Sequence, residues 1–153
     1  MGSLADFRRE LASHHLALLD TMIFSYHLSE HPRYLPLTQA LLGLVESGQL
    51  QGLMTAITLA EILTVPAQAG AVHILRDYEI YLTHFPNLTL VPLDAALARQ
   101  TALARAATGL RLPDAVQIAA AQLHNADVIV TNDLRWQAKV TDKTLLILDD
   151  YVA

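Results

Sequence analysis

The sequence predicts an α/β fold, a three-layer α/β/α domain built on a mostly parallel central sheet. Short apolar runs of strand length recur along the chain, among them LALL at 16–19, LTLV at 88–91 and VIVT at 128–131. Segments of near-helical apolar spacing separate them, and strands alternating with helices build parallel sheets covered on both faces. The length, 153 residues, fits one domain with a core that needs no disulfide, and cysteine is absent.

Taken in order, LALL is a first buried strand that ends at Asp20, and TMIFSYHL begins a helix or turn. Residues 35–45 carry apolar side chains at helical spacing and stop near Ser47-Gly48, after which residues 52–57 form a second strand. Thr58 is predicted to open a helix that Pro66 stops, and a helical pattern resumes from Ala69 to Phe85. Pro86-Asn87 turns into LTLV. Asp94 caps a helix that ends at Gly109, and Pro113 starts another, proline being favoured in a first turn. VIVT is the fourth strand, a short helix surrounds Trp136, and residues 145–148 make a fifth strand at a sheet edge.

Several classes of function are excluded. Hydrophobic residues make up 53% of the chain, yet no apolar run reaches the roughly 20 residues of a membrane span. The first fifteen residues lack the apolar core of a secretory signal, and a reducing cytoplasm suits a chain without cysteine. The net charge of −5 argues against a broad basic surface that grips nucleic acid by neutralising phosphates. No glycine-rich phosphate loop or nucleophile elbow occurs, and the histidines lack ligand spacing.

The acids carry the remaining signal. In α/β sheets function gathers at the carboxyl ends of the strands. Asp20 and Asp133 fall at or just past strand ends, Glu61 lies a helical turn beyond the second strand, and Asp114 opens the helix that leads into the fourth. Three have a plain alternative: Glu61 fits a capping box opened by Thr58, Asp114 complements a helix dipole, and Asp133 suits a turn. Asp20 is harder to dismiss, since a carboxylate directly after four apolar strand residues is costly unless something, such as a helix N-terminus, satisfies it. Asp127, just before a strand, is the ordinary loop acid of the set. Gathered into one crevice, four carboxylates repel and call for a counter-cation. Mg²⁺ or Mn²⁺ prefers such oxygen ligands and supports phosphodiester hydrolysis.

LLDTMIFSYHL, TAITLAEIL, LRLPDAVQIAAA and ADVIVTND resemble, in order and spacing, the four acidic blocks of the PIN-domain nucleases, which include VapC-type ribonuclease toxins. The likeness runs from about Leu16 to Leu148, leaving residues 1–15 as an N-terminal extension to a domain at 16–150. It implies a metal-dependent endoribonuclease that leaves a 5′-phosphate and a 3′-hydroxyl. Asp20, Glu61 and Asp114 would be the main metal-binding and catalytic acids, Asp133 would complete the site directly or through water, and Thr131 would orient a ligand. If the chain is a toxin, a cognate antitoxin is implied, laid over the acidic cleft and supplying an Arg that displaces the metal. Met22 stands where a polar residue is common, and Gln117 where many relatives have His.

Arg111 and Arg135 flank the last two blocks and are the candidate contacts to RNA phosphates. The helix at 35–45 has more apolar residues than one core-facing stripe needs, which predicts a homodimer interface. The alternative to an enzyme is a catalytically weak or inactive module of the same fold that binds RNA or a protein partner. A phosphoacceptor receiver domain needs an acidic pair after the first strand, which Asp20-Thr21 lacks.

Overall fold

The computed structural model describes residues 1–152. Five strands, β1 (Leu16–Leu19), β2 (Gln51–Thr55), β3 (Leu88–Val91), β4 (Val128–Thr131) and β5 (Thr144–Ile147), form one sheet in the order β3-β2-β1-β4-β5. Every pairing is parallel. Side-chain alternation divides the core in two. Leu18, Leu53 and Ile129 face one layer of helices, while Ala17, Leu19, Met54, Val128 and Val130 face the other. Strands buried on both faces have no polar side to show, which is why they appear in the sequence as continuous apolar runs.

Helices α1 (Leu4–Ala12), α2 (Thr21–Leu28), α3 (Leu35–Glu46), α4 (Ala56–Gln68) and α5 (Val72–Thr83) contribute to the layer around Leu19 and Met54. Helices α6 (Ala95–Thr108) and α7 (Leu112–Leu123) cover the opposite face, and the short α8 (Trp136–Lys139) joins β4 to β5. Strand order therefore reverses between β1 and β4: the chain leaves β1 toward β2 and returns to β4 on its other side. Such a switch point opens a crevice past the strand ends. Asp20 and Thr131 stand at its two lips.

Three sequence expectations are corrected here. Helix α4 begins at Ala56, not Thr58, because Thr55 is its N-cap and accepts the Thr58 amide at 3.2 Å. Glu61 thus lies beyond the first turn and is no capping-box partner. Pro66 does not stop α4, which continues to Gln68 with the proline ring buried; only the one bond from the missing proline N–H is lost. Gly70, at φ +68°, turns the chain instead, so α5 starts at Val72 rather than Ala69 and ends at Thr83. The second and fifth strands likewise lie one residue earlier at their starts, at Gln51 and Thr144.

The surplus leucines of α3 also have an explanation within the chain. Leu37, Leu41, Leu42 and Val45 are all buried, since α3 is packed against both α1 and α2. The exposed apolar side chains lie elsewhere, with Val65, Val72, Ile74 and Ile80 along α4 and α5. Residues 1–15, expected as an extension, contribute Phe7 and Leu11 to the core, and Ser3 with Asp6 forms a capping box at the start of α1. Asp127 is more than a loop acid: its carboxylate accepts the amides of His15 and Leu16, each at 3.0 Å, and fixes the entry to β1. Among the described residues no helix is long and apolar enough to cross a membrane.

Candidate active site

Asp20 follows the last residue of β1 and caps α2, accepting the Thr21 amide at 2.8 Å. Thr131, the last residue of the neighbouring β4, donates its hydroxyl to the other carboxylate oxygen at 2.6 Å. The sequence placed Thr131 beside the site, and the structure gives it this partner. Asp20 is only 6% exposed, and burial pushes its carboxyl up to about 6, against the opposing hydrogen bonds from Thr131 and Thr21; the nearby Asp114 and Asp133 raise it further.

Asp114 lies in the first turn of α7, where proline at the preceding position sets the helix start. Its Oδ2 is buried and accepts no hydrogen bond among the described residues. Arg135 Nη2 approaches that oxygen to 3.5 Å and Arg111 Nε to 4.0 Å. Burial raises the Asp114 carboxyl above the usual range, and Arg135 opposes the shift. Asp133 takes the main charge of Arg135, with Nε at 2.9 Å from Oδ1 and Nη2 on Oδ2. That pairing holds its carboxyl below the usual range. Glu61 is exposed at the rim and accepts the Thr21 hydroxyl at 2.8 Å.

All four acids line one cavity of about 310 Å³, together with Thr21, Met22, Ser25, Gln117 and Arg135. A larger cavity of about 620 Å³ lies between α6 and α7, but Arg105 is the one charged residue that lines it. The smaller one holds all four of the acids singled out in the sequence. The acids share that cavity without meeting at a point: among the described residues no three Asp, Glu or His side chains are close enough to hold an ion as they stand. Instead the Arg135 guanidinium is the cation between Asp114 and Asp133.

The donor set nonetheless fits a hard divalent ion. It consists of oxygens alone, and the orphaned Oδ2 of Asp114 is a buried anionic acceptor in need of a partner. Arg111 and Arg135, expected to meet phosphates, are turned toward the acids. Met22 lines the cavity, and its sulfur accepts the Asn132 amide at 2.9 Å, so this departure from the common pattern helps tie β4's exit to α2. The sequence did not reveal Thr21 or Thr55, whose only signal was a hydroxyl directly after or before an element boundary. Trp136, next to Arg135, is wholly buried, and its indole N–H has no partner among the described residues.

The PIN domain family pattern matches residues 17–143. The chain belongs to the PIN domain family. Solved structures agree with this PIN fold. VapBC2 from Rickettsia felis, bound to a promoter DNA fragment, is 18% identical with a TM-score of 0.68, covering 86% of this chain and 98% of its own. FitAcB from Neisseria gonorrhoeae is 21% identical, with a TM-score of 0.66 and coverage of 86% and 97%. DNA-bound VapBC from Salmonella typhimurium is 17% identical, with a TM-score of 0.64 and coverage of 88% and 98%. At these identities the likeness is one of fold. A search of curated proteins gave no match. The PIN pattern ends before β5 and begins after α1, so both of those elements are additional to the matched stretch.

Proposed function

We propose that this PIN domain is a Mg²⁺- or Mn²⁺-dependent endoribonuclease, acting as the toxin of a toxin–antitoxin pair in the cytoplasm. The observation that carries the reading is the gathering of Asp20, Glu61, Asp114 and Asp133 around one cavity at the switch point of a parallel sheet. Asp20, Glu61 and Asp114 would be the main acids holding the ion, Glu61 from the open rim, and Asp133 would complete the site directly or through water. When bound, the ion supplies an activated water and stabilises the charge that develops on the phosphate.

The residues of the chain set the frame for that chemistry. Asp20 is fixed on both oxygens by Thr131 and Thr21, so its orientation is settled before any ligand arrives. Arg135 neutralises Asp133 and leans on Asp114, which keeps the unliganded cleft from carrying the full repulsion of its acids. The resemblance to the PIN-domain nucleases implies that water would displace the 3′-oxygen from phosphorus, leaving a 3′-hydroxyl and a 5′-phosphate. A cleft that already accommodates one guanidinium also suits an antitoxin that inserts an arginine, and the similar solved structures include a toxin–antitoxin complex from Klebsiella pneumoniae. A homodimer remains part of the proposal, but its support moves from α3 to the exposed Val65, Val72, Ile74 and Ile80.

The test is cleavage of a labelled single-stranded RNA in Mn²⁺ by the wild-type protein, Asp114→Asn and Glu61→Gln. Each variant is expected to lose activity about 100-fold or more while its circular dichroism stays unchanged, since loss of a ligating oxygen exceeds the 10–100-fold typical of a lost supporting partner. Cleavage at the wild-type rate in both would show that the acids are structural and would favour the inactive module.

Charge gives a second expectation. With a net charge of −5 and Arg111 and Arg135 as the cations nearest the cavity, RNA affinity should rest on few phosphate contacts. In an Asp114→Asn background, replacing both arginines by Ala should weaken binding alike across RNA sequences and lower the salt slope by about 1 for each arginine that meets a phosphate. An unchanged slope would place the RNA path elsewhere on the surface.

A further inference from the structure

Gln117 stands three residues after Asp114 on α7, so its side chain issues from the same face one turn deeper. It is 2% exposed, and a buried amide is costly unless both of its ends are satisfied. Both are. Its Oε1 accepts the Thr55 hydroxyl at 2.9 Å, and its Nε2 donates to Thr58 Oγ1 at 2.5 Å. Nε2 also lies 3.3 Å from Thr21 Oγ1 and 3.4 Å from Asp20 Oδ1.

The direction of each bond follows from counting protons, since a hydroxyl has one to give. Thr55 Oγ1 accepts the Thr58 amide and gives its proton to Gln117. Thr58 accepts from Gln117, so its own proton goes to Thr21 Oγ1 at 2.8 Å. Thr21 then gives its proton to Glu61 Oε1 at 2.8 Å. The chain of bonds runs one way, from the amide on α7 through hydroxyls on α4 and α2 to the Glu61 carboxylate. A side branch of the same amide ends on Asp20.

We infer that Gln117 is a positioning residue: through Thr58 and Thr21 it fixes Glu61, and directly it orients Asp20, relative to the helix that carries Asp114. One buried amide thereby sets the spacing among three of the four acids, which come from separate elements. A methionine at this place has nearly the same length and no hydrogen bond to offer, and it leaves Thr58 and Thr21 free to turn their protons elsewhere. The assignment rests on the metal-dependent nuclease reading.

The experiment measures melting temperature against Mn²⁺ concentration, and kcat and KM on RNA, for the wild-type protein, Gln117→Met, Thr21→Val and Thr21→Ser. Gln117→Met is expected to melt cooperatively, to need about 10-fold or more Mn²⁺ for half its stabilisation, and to lose kcat by a similar factor with KM little changed. Thr21→Val should shift in the same direction, and Thr21→Ser, which keeps the hydroxyl, should recover most of the loss. If Gln117→Met does not fold, the comparison of Thr21→Val with Thr21→Ser decides. A wild-type protein that responds to Mn²⁺, with Gln117→Met or Thr21→Val responding at the same concentration, overturns the positioning role alone. A wild-type protein with no Mn²⁺ response overturns the nuclease reading, and this assignment with it.

Discussion

Asp20→Asn is expected to make the metal-free protein more stable at pH 7 and at the same time to end its activity. In the fold the Asp20 carboxyl titrates at about 6, against 3.8 in an open chain, chiefly because it is buried. The folded state therefore holds this proton more tightly than the unfolded state. As pH rises from about 4, the native protein must give up a proton it binds well, and stability falls until the carboxyl is fully ionised above about 6. A shift of this size corresponds to roughly 3 kcal/mol, at about 1.4 kcal/mol per unit. Asn stays neutral throughout. Its Oδ1 can still accept the Thr21 amide, and its Nδ2 can donate to Thr131 Oγ1, so most of the local bonding survives.

Thermal melts in a chelator from pH 4 to 8 check this directly. The wild-type protein should lose ground to Asp20→Asn across the interval from about 4 to 6 and remain below it at pH 7. Asp133 has the opposite sign, since Arg135 lowers its pKa and its contribution is lost on acidification; it is present in both proteins and drops out of the difference. RNA cleavage by the variant should fall about 100-fold or more, beyond the effect of losing a supporting partner. A variant less stable than wild type at pH 7 would mean that the charge at Asp20 is well compensated within the metal-free fold.

Phe7→Ala should cost about 3–5 kcal/mol, the range for a large aromatic removed from a closed core. Phe7 is 0% exposed, lies in the core cluster of the sheet face that carries Leu19 and Met54, and meets the Tyr151 ring at a centroid distance of 5.0 Å. Domains of this kind have about 5–15 kcal/mol in total, so the loss is a large share of the whole. Urea unfolding at neutral pH measures it. A change below about 1 kcal/mol, the level of an ordinary substitution, would show that α1 only rests on the domain.

The sheet was legible because burial on both faces leaves strands with no polar alternation to confuse with helix spacing, as LALL and VIVT illustrate. Asp20 stood out because a carboxylate directly after such a run is costly unless satisfied, whereas Glu61, Asp114 and Asp133 each offered an ordinary cap or turn role and drew attention only as a set. Helix starts were harder. Thr55 and Thr58 are both good caps three residues apart, and only the fold shows that Thr55 takes the role while Thr58 turns to Gln117. The leucines of α3 misled because two helices, α1 and α2, close over faces that a single stripe would leave open. Gln117 was marked only by its offset from Asp114 and by standing where many relatives have His; its place among four partners could not be read, since they come from segments 59 or more residues away.

Trp136 is the single tryptophan of the chain, sealed from solvent and covalently next to the arginine that bridges Asp133 and Asp114. An indole is a fluorophore whose emission follows its surroundings, and this one has no second tryptophan to blur it. Its N–H has no partner among the described residues, so its emission is set by the apolar core around it. The protein thus contains an optical reporter one residue from Arg135, and a change in its emission on adding Mn²⁺, without an attached dye, is the expected sign of an ion displacing that arginine.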